Sequence, residues 1–229
     1  MNPHIINTGI LALAFLVLFS VAELLYHRFS FKAEVTRKIV HICTGVLTLL
    51  FPAMLENHWF VLALCSSFLI ILLASLALKM LPSINAVDRK TSGSILYPVI
   101  VYGCFLLYQE YGNIILYYIP ILTLAICDPI AALVGKKFPW KAYTTFGHQK
   151  TLSGSIGFFI ASFFLSLILL AIFINVPYSS SVIIAFCIAL TTAFAEAITH
   201  RGLDNLSIPA TAIATILLFH HLTPLLCLN

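Results

Sequence analysis

Long apolar runs broken by short cationic clusters constrain this chain more than any other feature. All twelve Lys and Arg residues fall in four places: Arg28, Lys32, Arg37 and Lys38; then Lys79, Arg89 and Lys90; then Lys136, Lys137, Lys141 and Lys150; and finally Arg201. Every second connection between apolar runs carries positive charge, and the alternate connections carry none. A soluble domain of 229 residues cannot bury a composition that is 61% hydrophobic and 9% charged. A bilayer can, since about 20 apolar residues make one spanning helix.

The sequence therefore predicts an all-α, polytopic membrane bundle of about eight spanning helices, forming a single domain over 1–229. The expected spans are 6–26, 39–55, 58–78, 95–111, 113–134, 154–175, 181–200 and 207–226. The positive-inside bias assigns 27–38, 79–94, 135–153 and 201–206 to the cytoplasm, with both termini on the other side. The first run lacks a cationic leader and a small-residue cleavage site, and reads as a retained helix. Six cysteines are scattered through apolar runs without a CxxC spacing, which suggests small buried side chains and no disulfide framework.

Sidedness does not explain which residues the connections contain. The basic side suits a polyanionic partner such as a nucleotide or an anionic lipid, while the opposite side has Glu56 and Glu110 and no cation. Three acids fall inside apolar runs, where ionisable groups are costly: Glu23, Asp128 and Glu196. Glu23 reads either as functional or as a partner of Arg28 or Arg37. Asp128 precedes Pro129, which removes a backbone donor and leaves the Ala125 carbonyl without one. A helix broken there offers a carboxylate and a carbonyl to a hard cation, or is a structural kink. Ala132 and Gly135 share the face of Asp128 and are small enough for close approach.

Glu196 belongs to a polar stripe with Thr192, Thr199 and His200 at helical spacing, followed by Asp204 and Asn205, which read as a site wall or as a plain turn. Ser207 is the expected cap of the last helix. The segment GKKFPWKAYTTFGHQKTLSG (135–154) combines glycines, lysines and hydroxyls without P-loop spacing. It reads as a solvated basic loop or as a phosphate cradle, with Lys136, Gly147, His148, Lys150, Thr151, Gly154 and Ser155 leading into a helix N-terminus. Arg37 and His41 stand one turn apart on one helix face beside Lys38, which makes His41 a candidate phosphate ligand or proton shuttle. Asp88 and Arg89 add an acid and a cation before the fourth helix.

Taken together, these motifs resemble the CTP-dependent lipid-alcohol kinases: phytol, dolichol and polyprenol kinases and the yeast-type diacylglycerol kinase. The resemblance rests on RKxxH (Arg37, Lys38, His41), DPxAxxxG (Asp128 to Gly135) and KTxxGS (Lys150 to Ser155). It also rests on a late E…GxDNxxxP (Glu196, Gly202, Asp204, Asn205, Pro209) and on the pair Tyr97-Pro98. It covers residues 36–210. It implies transfer of the γ-phosphoryl of CTP to the hydroxyl of a membrane lipid alcohol, most naturally an isoprenoid. Asp128, His41, Glu196 and Asp204 would be catalytic, with Asp128 and Asp204 holding Mg²⁺. Arg37, Lys38, Lys136 and Lys150 would neutralise phosphates, with Gly147, His148, Thr151, Gly154, Ser155 and Asn205 around the nucleotide. Asp88, Arg89 and Tyr97 would lie towards the lipid substrate. One departure stands out: Ser153 occupies a position where many relatives carry Glu.

Phosphatidate cytidylyltransferases share part of this core, but their C-terminal signature has no counterpart here. A cytidylyltransferase or a diacylglycerol kinase is the alternative enzyme, and a lipid or solute transporter the alternative outside enzymes. The expected partners are CTP, a lipid alcohol and the bilayer, not nucleic acid, and a homodimer is compatible with the sequence. The expected location is a multi-pass place in the membrane (the plasma or inner membrane in a prokaryote), with the active site on the cytoplasmic face.

Overall fold

The computed structural model describes residues 3–78, 80–85, 93–146, 148–199 and 202–222. Its helices are α1 (Pro3–Phe29), α2 (Ala33–Thr48), α3 (Phe51–Met54), α4 (His58–Ala77), α5 (Pro82–Asn85), α6 (Gly93–Tyr111) and α7 (Ile115–Leu122). A π turn (Thr123–Cys127) joins α7 to α8 (Asp128–Lys137). An antiparallel hairpin follows, β1 (Ala142–Thr145) with β2 (His148–Thr151). Three helices complete the bundle: α9 (Leu152–Phe173), α10 (Tyr178–Ile198) and α11 (Asp204–Leu222).

The bundle is apolar on the outside. On α9, Ile156, Ile160, Phe164, Ile168 and Ile172 are all exposed and fall one turn apart, while Ser162 and Ser166 on the same helix are fully buried. Exposed Ile183, Phe186, Leu190 and Phe194 repeat the pattern on α10. Water would not tolerate continuous apolar stripes of this length, and lipid does. Ser162 and Thr192 meet inside at 3.2 Å, a polar contact between helices that approach closely through small residues. Among the described residues, six helices are long and apolar enough to cross a membrane, so the chain is a multi-pass membrane protein. The segment expected to span at 95–111 is also helical, as α6, and so are the described residues of 207–226, within α11, but neither is among those six.

The segment α7–π turn–α8 runs through the middle of the bundle. Ile115, Tyr117, Ile119, Ala125 and Cys127 along it have no solvent exposure. Where a proline removes a backbone donor, a neighbouring side chain can replace it. Pro52 has no N–H for the Thr48 carbonyl four residues back, and the Tyr117 hydroxyl donates to that carbonyl at 2.8 Å. The expected second span, 39–55, is among the six as Ala33–Met54, with a short break inside it where α2 stops at Thr48 and α3 starts at Phe51.

Three further expectations need correction. The helix is not broken at Asp128: that residue keeps α geometry (φ −63°, ψ −48°), and the π turn before it absorbs the irregularity. Ser207 does not cap the last helix, which already begins at Asp204; its hydroxyl instead donates to Thr199 Oγ1 at 3.2 Å. The basic segment after α8 is not a plain loop but contains the β-hairpin. Alternation in Ala142–Thr145, with its aromatic and β-branched residues, was the available signal. The tip residue Phe146 adopts the left-handed conformation, at φ 46°, that tight hairpin turns require.

Candidate functional site

The site is assembled on the π turn. In an i→i+5 register the Leu124 carbonyl would bond to the N–H of residue 129, which is a proline. His41 on α2 fills the vacancy, with Nε2 3.2 Å from that oxygen. A carbonyl only accepts, so Nε2 carries the proton and Nδ1 is left as the ring's acceptor. The same ring stands edge-on to Tyr97 of α6, with centroids 5.0 Å apart. Thus Pro129 both sets the π turn beside Asp128 and recruits the histidine next to it.

The second wall is where α8 crosses the start of α9. A side-chain carbon on Gly154 would lie 2.9 Å from the Ala131 carbonyl and 3.4 Å from Gly135 Cα, so glycines at both positions let the two backbones touch. This matches the close approach expected from the small residues after Asp128. Thr151 caps α9, accepting from the Gly154 N–H at 3.2 Å, and the Leu152 N–H donates to the Lys141 carbonyl. With those two N–H groups engaged, anion binding at this helix start would draw mainly on side chains.

From the hairpin, Lys150 reaches across to α10. Its Nζ lies 2.7 Å from Glu196 Oε1 and also contacts the Glu196 backbone carbonyl. The side chains are only 18% and 9% exposed, so this is a buried ion pair. Ser155 donates to the other carboxylate oxygen at 3.4 Å, and Tyr143 Oη lies 2.7 Å from Ser155 Oγ. Ser153, the departure from the family pattern, donates to the Phe138 carbonyl.

The third wall is the start of α11. Asn205 donates from Nδ2 to the Gly93 carbonyl at 2.7 Å, tying α11 to the start of α6. Asp204 accepts from the Asn205 N–H at 3.0 Å. Asp128 lies within electrostatic reach of Asp204, Glu196, Lys150 and Lys38. Among the described residues, no cation stands at ion-pair distance from Asp128 or Asp204, whereas Glu196 is neutralised by Lys150. Among the described residues, too, no cluster of three or more His, Cys, Asp or Glu could hold a metal ion by itself.

These walls enclose a cavity of about 1020 Å³. Arg37, Lys38, His41, Tyr97, Asp128, Lys136, His148, Lys150, Thr151, Gly154, Ser155, Glu196, Asp204 and Asn205 all line it. Asp88, Arg89 and Gly147 lie outside the described residues. Glu23 is not part of the lining. Its carboxylate accepts from the Ser83 N–H and hydroxyl, at 3.2 and 2.5 Å, and lies 3.2 Å from His27, so it fastens α5 to α1 and pairs with neither Arg28 nor Arg37. Sequence reasoning missed Glu34, which lines the mouth 4.0 Å from Lys136; its place one turn before Lys38 was a usable signal. It also missed an apolar arm of the same cavity, which passes Tyr97 into the bundle between α1, α2, α4 and α6.

A polytopic helical bundle whose polar, cation-rich chamber continues into an apolar one defines a class: membrane proteins that bring a charged ligand and a lipid together. A phytol kinase from Synechocystis sp. is 34% identical to this chain over 196 residues, covering 82% of this chain and 80% of that protein. The chain therefore belongs to the phytol kinase family, and is a kinase of a prenol-type lipid alcohol. No protein-family model matches the sequence, and no solved structure matches it.

Proposed function

We propose that this protein transfers the γ-phosphoryl group of CTP to the hydroxyl of an isoprenoid alcohol in the membrane. The observation that carries this reading is the continuity of one cavity, polar and cationic at its mouth and apolar beyond Tyr97. The bond between the γ-phosphorus and the β,γ-bridging oxygen breaks, and a bond from that phosphorus to the alcohol oxygen forms. CDP leaves, and the hydroxyl proton passes to a base. His41 suits the last role, because its Nε2 is committed to Leu124 and its Nδ1 can accept. Arg37, Lys38 and Lys136 would take the phosphate charge; such transfer depends mainly on positioning and charge stabilisation. Lys150, already held by Glu196, would present the hairpin and the α9 start at a fixed distance.

Asp128 and Asp204, acids without a paired cation among the described residues, fit a divalent ion such as Mg²⁺. Mg²⁺ is usually held by one or two carboxylates plus substrate phosphates, so a three-ligand protein cluster is not required. Bound there, it would supply charge neutralisation at the phosphates. By the positive-inside rule this mouth opens to the cytoplasm, with eight spans and both termini opposite.

The test is phosphorylation of a prenol by the purified protein with γ-labelled CTP and Mg²⁺, with unlabelled ATP, GTP and UTP as competitors. A labelled prenyl monophosphate, competed least by the other nucleotides, is expected. Label in lipid only from α-labelled CTP would mean a cytidylyltransferase. Efficient competition by ATP would overturn the choice of donor.

A further inference from the structure

The arm of the cavity has a floor. On the lining helices, the residues furthest from the polar mouth are Phe15, Phe51, Cys65 and Val101. Phe15 stands edge-on to Phe51 with centroids 6.2 Å apart, and both are almost fully buried. Beyond them Leu11, Leu55, Val61 and Phe105 are packed with 0–1% exposure, so nothing continues past this point. From His41 to Thr48 along α2 is about 10 Å at a helical rise of about 1.5 Å per residue, so the arm is on the order of 10–15 Å deep.

The upper end of the arm is also marked. The Tyr97 hydroxyl is buried and has no hydrogen-bond partner among the described residues, although Tyr97 lines the cavity. A buried hydroxyl left unbonded is costly, and such groups normally find a partner. A lipid alcohol hydroxyl at the head of the arm would satisfy it, with His41 alongside.

We propose that the blind arm between Tyr97 and the Phe15–Phe51 pair is the tail channel of the lipid substrate, and that its floor limits the prenol chain length. This rests on the prenol kinase reading and narrows it. The channel takes prenols up to about the length of geranylgeraniol, the longest with the tail folded, and rejects long polyprenols because its closed end leaves no room for their tails.

Two variants test the floor. Phe51→Ala deepens the arm, and Val101→Trp blocks it partway. Activity is measured with geraniol, farnesol, geranylgeraniol and a long polyprenol. The ratio of kcat/KM for polyprenol over geranylgeraniol should rise about tenfold in Phe51→Ala, and the geraniol over geranylgeraniol ratio about tenfold in Val101→Trp, the size typical of apolar pocket discrimination. Parallel losses with all alcohols and unchanged ratios would overturn the proposal. A geranylgeraniol analogue with a diazirine at its tail end gives a readout that needs no turnover. Crosslinks in the wild-type protein should fall within 48–54 or 61–68, whereas label confined to the outer stripe of α9 would overturn the channel. Wild-type protein that is labelled at the floor yet phosphorylates no prenol would keep the channel and overturn the kinase reading.

Discussion

In the mouth of the cavity, the lining side chains stand on helix ends, a π turn and a hairpin; in the arm, they stand mainly within α1, α2, α4 and α6, with Phe51 at the start of α3. The mouth is polar and internally bonded, with Lys150 paired to Glu196 and His41 to Leu124. The arm is bounded mostly by aromatic and aliphatic carbon, with the buried, unbonded Tyr97 hydroxyl at its entrance. The difference teaches that one cavity can separate two tasks. On the proposed function, charge chemistry would be fixed where backbone irregularity supplies unusual geometry, and shape recognition where helices supply rigid walls.

Substitutions should respect that boundary. The largest effect is expected at Asp128→Asn, which keeps the shape of the mouth and removes one of its two unpaired carboxylates. Phosphoryl transfer should fall about a thousandfold, the scale seen when a preorganised electrostatic group is lost, while KM for the prenol stays the same. A change mainly in prenol KM would erase the proposed division.

Lys150→Ala leaves the Glu196 carboxylate buried without its cation. It should destabilise the protein by about 3 kcal/mol, as breaking a buried pair does. Lys150→Ala combined with Glu196→Gln should recover much of that loss, measured by thermal unfolding in detergent. No recovery would mean that the lysine acts through something other than the pair.

Next comes His41→Phe, which strips the Leu124 carbonyl of its donor and should cost about 1–3 kcal/mol for an unsatisfied buried group. His41→Gln can restore that hydrogen bond but not the imidazole base. Stability should return while phosphoryl transfer stays low; recovery of both would remove His41 from the chemistry. The smallest effect should come from Tyr97→Phe at the boundary. Since the hydroxyl has no partner, stability should change by less than about 0.5 kcal/mol, while the prenol KM should rise about fivefold, the worth of one ordinary hydrogen bond.

The two regions also differ in how far they could be read from sequence. The mouth was legible because its residues violate the apolar pattern around them: Asp128, Glu196 and Lys150 are conspicuous in or beside a membrane segment. The consequence of Pro129 was legible only in part. A missing donor could be inferred, but the register of the turn, and hence that Leu124 and not Ala125 receives the substitute donor, depends on how α2 packs against the central helix. Glu23 could not be resolved from sequence for the converse reason. An acid in an apolar run looks functional until the Ser83 backbone and hydroxyl are found bonded to it. The arm left no signal, because Phe15, Phe51, Cys65 and Val101 are the same residue types that fill every other membrane helix.

The apolar stripe on α9 begins at Ile156, one residue after Ser155, which bonds to Glu196 inside the cavity. On the proposed function, the chemistry would sit level with the rim of this apolar belt, the depth at which a long-chain alcohol already carries its hydroxyl. Such a substrate would then reach the protein by drifting sideways within its leaflet, without being lifted out, and the quantity the enzyme would sense is the crowding of alcohol among lipids. Adding inert lipid at constant total prenol should slow the reaction, and a rate indifferent to that dilution would mean that the substrate arrives through water instead.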